Sequence, residues 1–381
     1  MIVPAPAPCV VIAPDKFKGT LTAAAVATHL ATGLRSVLPD VEVVMVPVAD
    51  GGDGTLAAAE AAGFEQVTVP AHGPTGEDCK ASYGARGSEA VVELAEVCGL
   101  DLLAERGLAP LAATSRGTGD LISAALDDGA RRVVVGIGGS ASTDGGLGLL
   151  QALGARVTGA DGREVGPGGL GLEDAVALDL SGLHPGLAGA EVVVACDVDN
   201  PLTGSHGAAA VYGPQKGASP DDVERLDAAL TRWADLVAAT TGADHRDDPG
   251  AGAAGGVGFG LVAVAGATTR PGADLVFELT GFHDALVAAT LVITGEGALD
   301  RQTLHGKAPA AVAAAAREAG VPVVAVAGKV LLTEGDLRAA GIGAAYALVE
   351  EGSEQEAFDA PGPLLERLGA RIAREHLGGA R

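Results

Sequence analysis

The sequence predicts an α/β protein: a parallel-sheet layer built from both ends of the chain, a second, mixed α/β domain inserted between them, and an active cleft where the two meet. Three observations carry this. Near each end, short β-branched strands alternate with helical stretches, the rhythm of a parallel sheet covered by helices. The middle of the chain breaks that rhythm with turns and short alternating runs. Glycines mixed with acidic and hydroxyl side chains recur directly after the strands, where doubly wound sheets collect their ligands.

In order, Cys9–Ala13 reads as a buried strand ending at Pro14-Asp15. A helix over Thr20–Val37 follows, with Thr20 or Thr22 as its N-cap. Val41–Val48 is a second strand, ending in Ala49-Asp50-Gly51-Gly52-Asp53-Gly54, and Thr55–Ala62 is helical. Residues 65–113 and 155–215 predict a mixed or antiparallel sheet. Between them, the apolar run Arg131–Val135 stops in Gly136-Ile137-Gly138-Gly139-Ser140-Ala141-Ser142-Thr143-Asp144-Gly145-Gly146, before a helical pattern over Leu147–Leu153. Glu191–Val194 is a strand and Asp221–Thr240 a helix. From Ala289 the first grammar returns: strand to Thr294, helix Pro309–Ala319, strand Val321–Val326, strand Gly341–Leu348, helix Pro363–His376. The expected boundaries are 1–64 with 288–381 for the discontinuous domain and 65–287 for the insertion.

Composition limits the function. A net charge of −24 argues against nucleic acid and anionic membrane surfaces, which bind basic proteins. With only 3% aromatic residues, the core must be built from Ala, Val and Leu. The four cysteines are scattered without a Cys-x-x-Cys pair, which disfavours a zinc cluster or disulfide scaffold and fits reduced thiols in the cytoplasm. The N-terminal residues lack the basic and apolar segments of a signal peptide.

The glycine loop after Val135 is the arrangement that aims backbone N–H groups at an anion. No Gly-x4-Gly-Lys-[Ser/Thr] occurs, so the chain is not a P-loop enzyme. Gly-x-Ser-x-Gly fails at Ser142, which disfavours a serine hydrolase. Gly136-x-Gly138-x-x-Ala141 fits a dinucleotide fingerprint loosely. Other clusters offer phosphoryl-transfer chemistry. Asp15, Lys16 and Lys18 place a carboxylate and two ammonium groups after the first strand. Asp50 and Asp53 are oxygen donors of the kind Mg²⁺ takes. Asp197, Asp199 and Asn200 follow another strand, with Gln215 and Lys216 shortly after. Gly295, Glu296, Asp300 and Lys307 lie at one strand–helix junction, and Lys307 opposes the dipole of the helix it precedes unless an anion is near. Gly255-Gly256-Val257-Gly258 is either a second nest or close packing.

Six segments in order resemble the type 1 glycerate kinase family: Ala-Pro-Asp-Lys-Phe-Lys-Gly-Thr-Leu from Ala13, Val-Ala-Asp-Gly-Gly-Asp-Gly-Thr from Val48, Gly-Ile-Gly-Gly-Ser-Ala-Ser-Thr-Asp-Gly-Gly from Gly136, Ala-Cys-Asp-Val-Asp-Asn-Pro-Leu from Ala195, Gly-Pro-Gln-Lys-Gly-Ala from Gly213, and Thr-Gly-Glu-Gly from Thr294 running on to Gln-Thr-Leu-His-Gly-Lys-Ala-Pro. The resemblance implies an ATP-dependent kinase of D-glycerate acting at the 2-hydroxyl, with a Rossmann-like domain and an inserted one. Four positions depart from the family pattern: Asp53 stands for Glu, Ser142-Thr143 for Thr-Asn, and Ala298 for Arg, with Arg301 nearby as a substitute cation.

Phosphoryl transfer asks chiefly for positioning and charge neutralisation. On that chemistry Asp197 is the expected base and Asp15 the second choice. Lys16, Lys18 or Lys307 neutralises transferred charge. Gly138, Gly139, Ser140 and Asp144 line the phosphate loop, and Asn200, Gln215, Lys216 and Gly295 complete the binding set, with Lys216 or Lys18 for the glycerate carboxylate. Asp50, Asp53 and Glu296 hold Mg²⁺. The partners are D-glycerate and ATP, with a homo-oligomer left open. The alternatives are a kinase for another small hydroxy acid, an NAD-dependent oxidoreductase and a non-catalytic phosphometabolite-binding protein.

Overall fold

The computed structural model describes residues 8–304 and 307–378. The N-terminal stretch read for targeting signals, up to Ala7, and His305-Gly306 of the last motif lie outside the described residues. The chain divides into two units. The first comprises the described residues up to Asp50, Ala57–Ala62, and those from Ala273 onward; the second comprises Gly51–Leu56 and Gly63–Gly272.

The first unit is organised on a five-stranded sheet in the order Ala344–Ala347, Val323–Val330, Leu291–Leu299, Cys9–Pro14, Glu42–Met45, parallel throughout. Cys9–Pro14 is buried along its whole length, which is why it reads as an unbroken apolar run: helices cover both faces of a parallel sheet. One face packs on Val26, Leu30 and Leu34 of the helix Ala23–Val37 and on Leu365 and Leu368 of Pro361–Ile372; the other packs on Val312, Phe277 and Phe282. Thr22, not Thr20, caps the first helix, accepting from the Ala25 N–H at 3.2 Å.

Two strands are longer at their carboxyl ends than the sequence suggests. Leu291–Leu299 passes through Gly295, Glu296 and Gly297 and stays paired with Val323–Val330, Glu296 opposite Ala327 and Ala298 opposite Lys329. The glycines that look like a turn allow close contact instead: a Cβ on Gly295 would stand 2.2 Å from the Val326 carbonyl oxygen.

The second unit carries a six-stranded sheet in the order Thr268–Arg270, Glu191–Ala195, Arg132–Gly136, Glu89–Glu93, Asp78–Arg86, Glu65–His72. The first four strands are parallel and the last two antiparallel, the mixed sheet expected. A small hairpin pairs Arg156–Thr158 with Ala177–Asp179. The helix Arg116–Asp127, absent from the sequence reading, packs Leu121, Ile122 and Ala125 into this core. The helix Pro220–Thr241 opens on a capping box between Ser219 and Asp222 and buries Trp233 completely.

Candidate active site

In the first unit, acidic side chains gather at the carboxyl ends of the central strands. Asp15 follows Cys9–Pro14; its backbone N–H donates to the Gly295 carbonyl at 2.7 Å and its Oδ1 accepts from the Lys16 N–H at 2.6 Å. Burial, and then the charge of Asp50, push its pKa up to about 7; Lys16 opposes the shift and Glu296 adds to it. Glu296 is buried. It accepts a hydrogen bond from the Thr303 hydroxyl and pairs with the Lys307 ammonium at 3.4 Å. Burial raises its pKa, against the pull of Thr303 and Lys307.

Thr303 is held in turn by Asp300, whose backbone N–H donates to Thr303 Oγ1 at 3.0 Å and whose carboxylate accepts from the Gln302 and Thr303 amides. Lys307, at the N-cap of Ala308–Glu318, therefore finds its anion in Glu296. Beside these groups, a cavity of about 370 Å³ is lined by Phe17, Lys18, Ala298, Lys329, Val349 and Phe358, among others.

In the second unit the glycine loop divides into two parts. From Ala141 onward it is scaffold. Asp144, fully buried, accepts from the Ser115 N–H at 2.8 Å, the Ser115 hydroxyl at 2.9 Å, and the Gly146 and Gly148 amides at 3.1 and 3.2 Å. The Ala141 N–H donates to the Cys98 carbonyl and the Gly145 N–H to the Gly255 carbonyl, while Trp233 Nε1 donates to the Gly145 oxygen. Asp144 and these amides are thus engaged within the loop itself. Gly255-Gly256 is close packing: a Cβ on Gly255 would lie 2.0 Å from the Ser142 carbonyl oxygen.

Lys216 is also engaged with this loop. It is 2% exposed, and its ammonium donates to Ser140 Oγ at 2.9 Å and to the Ser142 carbonyl. Burial lowers its pKa from 10.5 to about 8, against the charges of Cys98 and Asp144. It braces the loop, with Ser140 and the Ser142 carbonyl as its partners.

Gly138 and Gly139 keep exposure, with Gly139 in the left-handed region at φ 74°. A Cβ on Gly138 would stand 2.5 Å from the Gly52 Cα, and one on Gly136 2.8 Å from the Gly51 carbonyl oxygen. These two glycine loops therefore touch backbone to backbone. The helix after this loop begins only at Leu147, so Gly136-x-Gly138-x-x-Ala141 does not open a helix as a dinucleotide fingerprint does.

Asp197 and Gln215 are exposed; Asp197 Oδ1 accepts from the Gly272 N–H at 2.9 Å. Asn200 donates to the His206 carbonyl and accepts from the Tyr212 hydroxyl at 2.7 Å. Asp53 is exposed ahead of the helix Thr55–Ala61. Sequence reasoning missed Glu93. It ends the strand Glu89–Glu93, is buried, and accepts from the Gly54 and Leu56 amides. Burial, reinforced by Asp53 and Glu96, raises its pKa to about 7. Its signal was a lone acid closing an apolar strand.

Residues 10–377 match the model of the glycerate kinase family. The chain belongs to the glycerate kinase family. It is 43% identical over 371 residues to a glycerate kinase of Bacillus subtilis (strain 168), covering 96% of each chain. It is 43% identical over 354 residues to the glycerate 2-kinase of Escherichia coli (strain K12), covering 92% of this chain and 93% of that one. A crystal structure assigned as glycerate kinase 2 from Salmonella typhimurium LT2 superposes with a TM-score of 0.86 at 42% identity, over 98% of this chain and 99% of that chain. A kinase family implies ATP as donor. Among the described residues, no helix is long and apolar enough to cross a membrane.

Proposed function

We propose that this protein transfers the γ-phosphoryl group of ATP to the 2-hydroxyl of D-glycerate. The observation that carries the reading is Asp15. In a chain of this family, it is a half-buried carboxylate at the carboxyl end of a central strand, set among Lys16, Asp50 and Glu296. A carboxylate whose pKa is raised toward 7 is more basic than an ordinary one yet still partly ionised near neutrality, which is what a general base for a hydroxyl requires. Asp15 therefore takes the base role ahead of Asp197, which is exposed and tied to the Gly272 amide. Thr303 and Lys307 hold Glu296 in place and satisfy its charge. Lys16 and Lys18, which follow the same strand as Asp15, are the cations assigned to meet transferred charge.

The nucleotide arrives as its Mg²⁺ complex. Among the described residues, no three or more His, Cys, Asp or Glu side chains gather to hold a metal ion. Mg²⁺ commonly takes one or two carboxylates together with substrate phosphate oxygens. Asp50, whose charge acts on Asp15, is the carboxylate assigned to it. When bound, the ion neutralises phosphate charge. All four cysteines are free thiols, which supports a place in the cytoplasm.

The test is ADP release by the purified protein with D-glycerate, hydroxypyruvate, tartronate and glycerol, with and without Mg²⁺. The reading predicts Mg²⁺-dependent turnover that is fastest with D-glycerate. A preference for another acid moves the protein to a different small hydroxy acid, and turnover with none of the four contradicts the kinase reading.

A further inference from the structure

The cavity in the first unit lies where the topology places a ligand. Phe17 and Lys18 follow Cys9–Pro14, Ala298 stands near the end of Leu291–Leu299, Lys329 near the end of Val323–Val330, and Val349 follows Ala344–Ala347. The chain runs from Cys9–Pro14 to Glu42–Met45 on one side of the sheet, then returns to build the other three strands on the opposite side. Strand order thus reverses between Cys9–Pro14 and Leu291–Leu299, and open α/β sheets bind ligands outside the carboxyl ends at such a point.

We propose that this cavity receives the nucleoside of ATP, with Lys18 and Lys329 directing positive charge toward the phosphates. The proposal rests on the kinase reading and assigns its nucleotide to one place. Size and lining favour the nucleotide over the acid. About 370 Å³ falls within the range of small-molecule pockets. Ala298, Val349 and Phe358 offer apolar surface, with Phe17 buried behind them, for which a three-carbon hydroxy acid has no counterpart, whereas a purine has two flat faces.

Aromatic side chains make up only 3% of the chain, yet Phe358 is left 62% exposed at this cavity. An exposed ring beside cations is a platform for a base. The Lys329 ammonium meets Glu354 at 2.8 Å, with both side chains at least half exposed. A pair so exposed is weak and yields to a phosphate. The methyl group of Ala298 leaves the wall of the cavity low.

Calorimetric titration of the full-length protein with ADP, which binds without turnover, tests this on wild type, Phe358→Ala and Val349→Trp. Phe358 is exposed, so its truncation leaves the fold intact, while the indole at 349 fills the cavity. The Kd for ADP should rise roughly tenfold in Phe358→Ala, the scale of one lost base–aromatic stack, and further in Val349→Trp. The KM for ATP should follow, while the KM for D-glycerate stays within about twofold.

Unchanged ADP affinity in Phe358→Ala overturns the proposal, as does a KM effect confined to D-glycerate or a wild-type protein that does not bind ADP. The two readings fail separately. ADP binding that depends on Phe358, without phosphoryl transfer to glycerate, keeps the cavity and removes the acceptor. Glycerate phosphorylation with unaltered ATP affinity in both variants keeps the reaction and removes the cavity.

Discussion

Lys216→Met separates what the buried ammonium does for the fold from what it does for the loop. In the folded chain Lys216 is 2% exposed and its pKa is lowered from 10.5 to about 8. Keeping it charged near pH 7 therefore costs about 3 kcal/mol relative to an exposed lysine. Methionine has a similar volume and removes that cost, but deprives Ser140 Oγ and the Ser142 carbonyl of their donor. Each unmade bond costs about 1–3 kcal/mol. Near pH 7 the two effects largely offset.

They separate at higher pH. The folded pKa lies below the unfolded one, so between them the unfolded chain still holds a proton that the folded chain has released. Stability then rises with pH through this window. From pH 7 to 9.5, wild type should gain about 2 kcal/mol on Lys216→Met. Titrating groups remote from Lys216 are common to both proteins and cancel in the difference, leaving Lys216 and the Cys98 and Asp144 charges coupled to it. The assay is urea unfolding of both at the two pH values. A gap that does not change with pH would refute the claim that this lysine is buried at a net cost to its charged form.

Two further substitutions test the site. Asp15→Asn should lower kcat by about 10²–10⁴ with an unchanged circular dichroism spectrum. Asp197→Asn, which can still accept from the Gly272 amide, should keep kcat within about tenfold; the opposite order returns the base to Asp197. Gly138→Ala drives a Cβ to 2.5 Å from the Gly52 Cα and should cost about 1–3 kcal/mol, seen as a lower Tm. An unchanged Tm would show that the two loops part freely.

The parallel sheet of the first unit was legible because Val10–Ala13 and Val292–Thr294 are continuous apolar runs, which only a strand buried on both faces produces. The ends of its strands were less so. Glycine normally argues against a strand interior, but Gly295 and Gly297 continue one because neighbouring backbone approaches too closely for a side chain. The glycine loop after Val135 was visible as a loop, and its composition drew attention to Ser140 and Asp144.

What local sequence cannot carry is the identity of partners distant along the chain. Asp144 accepts a hydrogen bond from the Ser115 hydroxyl, 29 residues earlier, and Ser140 accepts one from Lys216, 76 residues later. Read locally, both look ready for a ligand; folded, they hold the loop together. Lys307 shows the same limit in reverse: a cation at a helix start suggests a phosphate, and the fold supplies Glu296. Glu93 offered too little local pattern to be singled out, although it anchors the Gly54–Leu56 turn.

The central claim is phosphoryl transfer from ATP to the 2-hydroxyl of D-glycerate. Phosphorus-31 NMR of the product formed by the purified protein from Mg²⁺-ATP and D-glycerate reads it most directly. The account predicts ADP and 2-phosphoglycerate. A spectrum showing 3-phosphoglycerate, or only unreacted ATP, would contradict it.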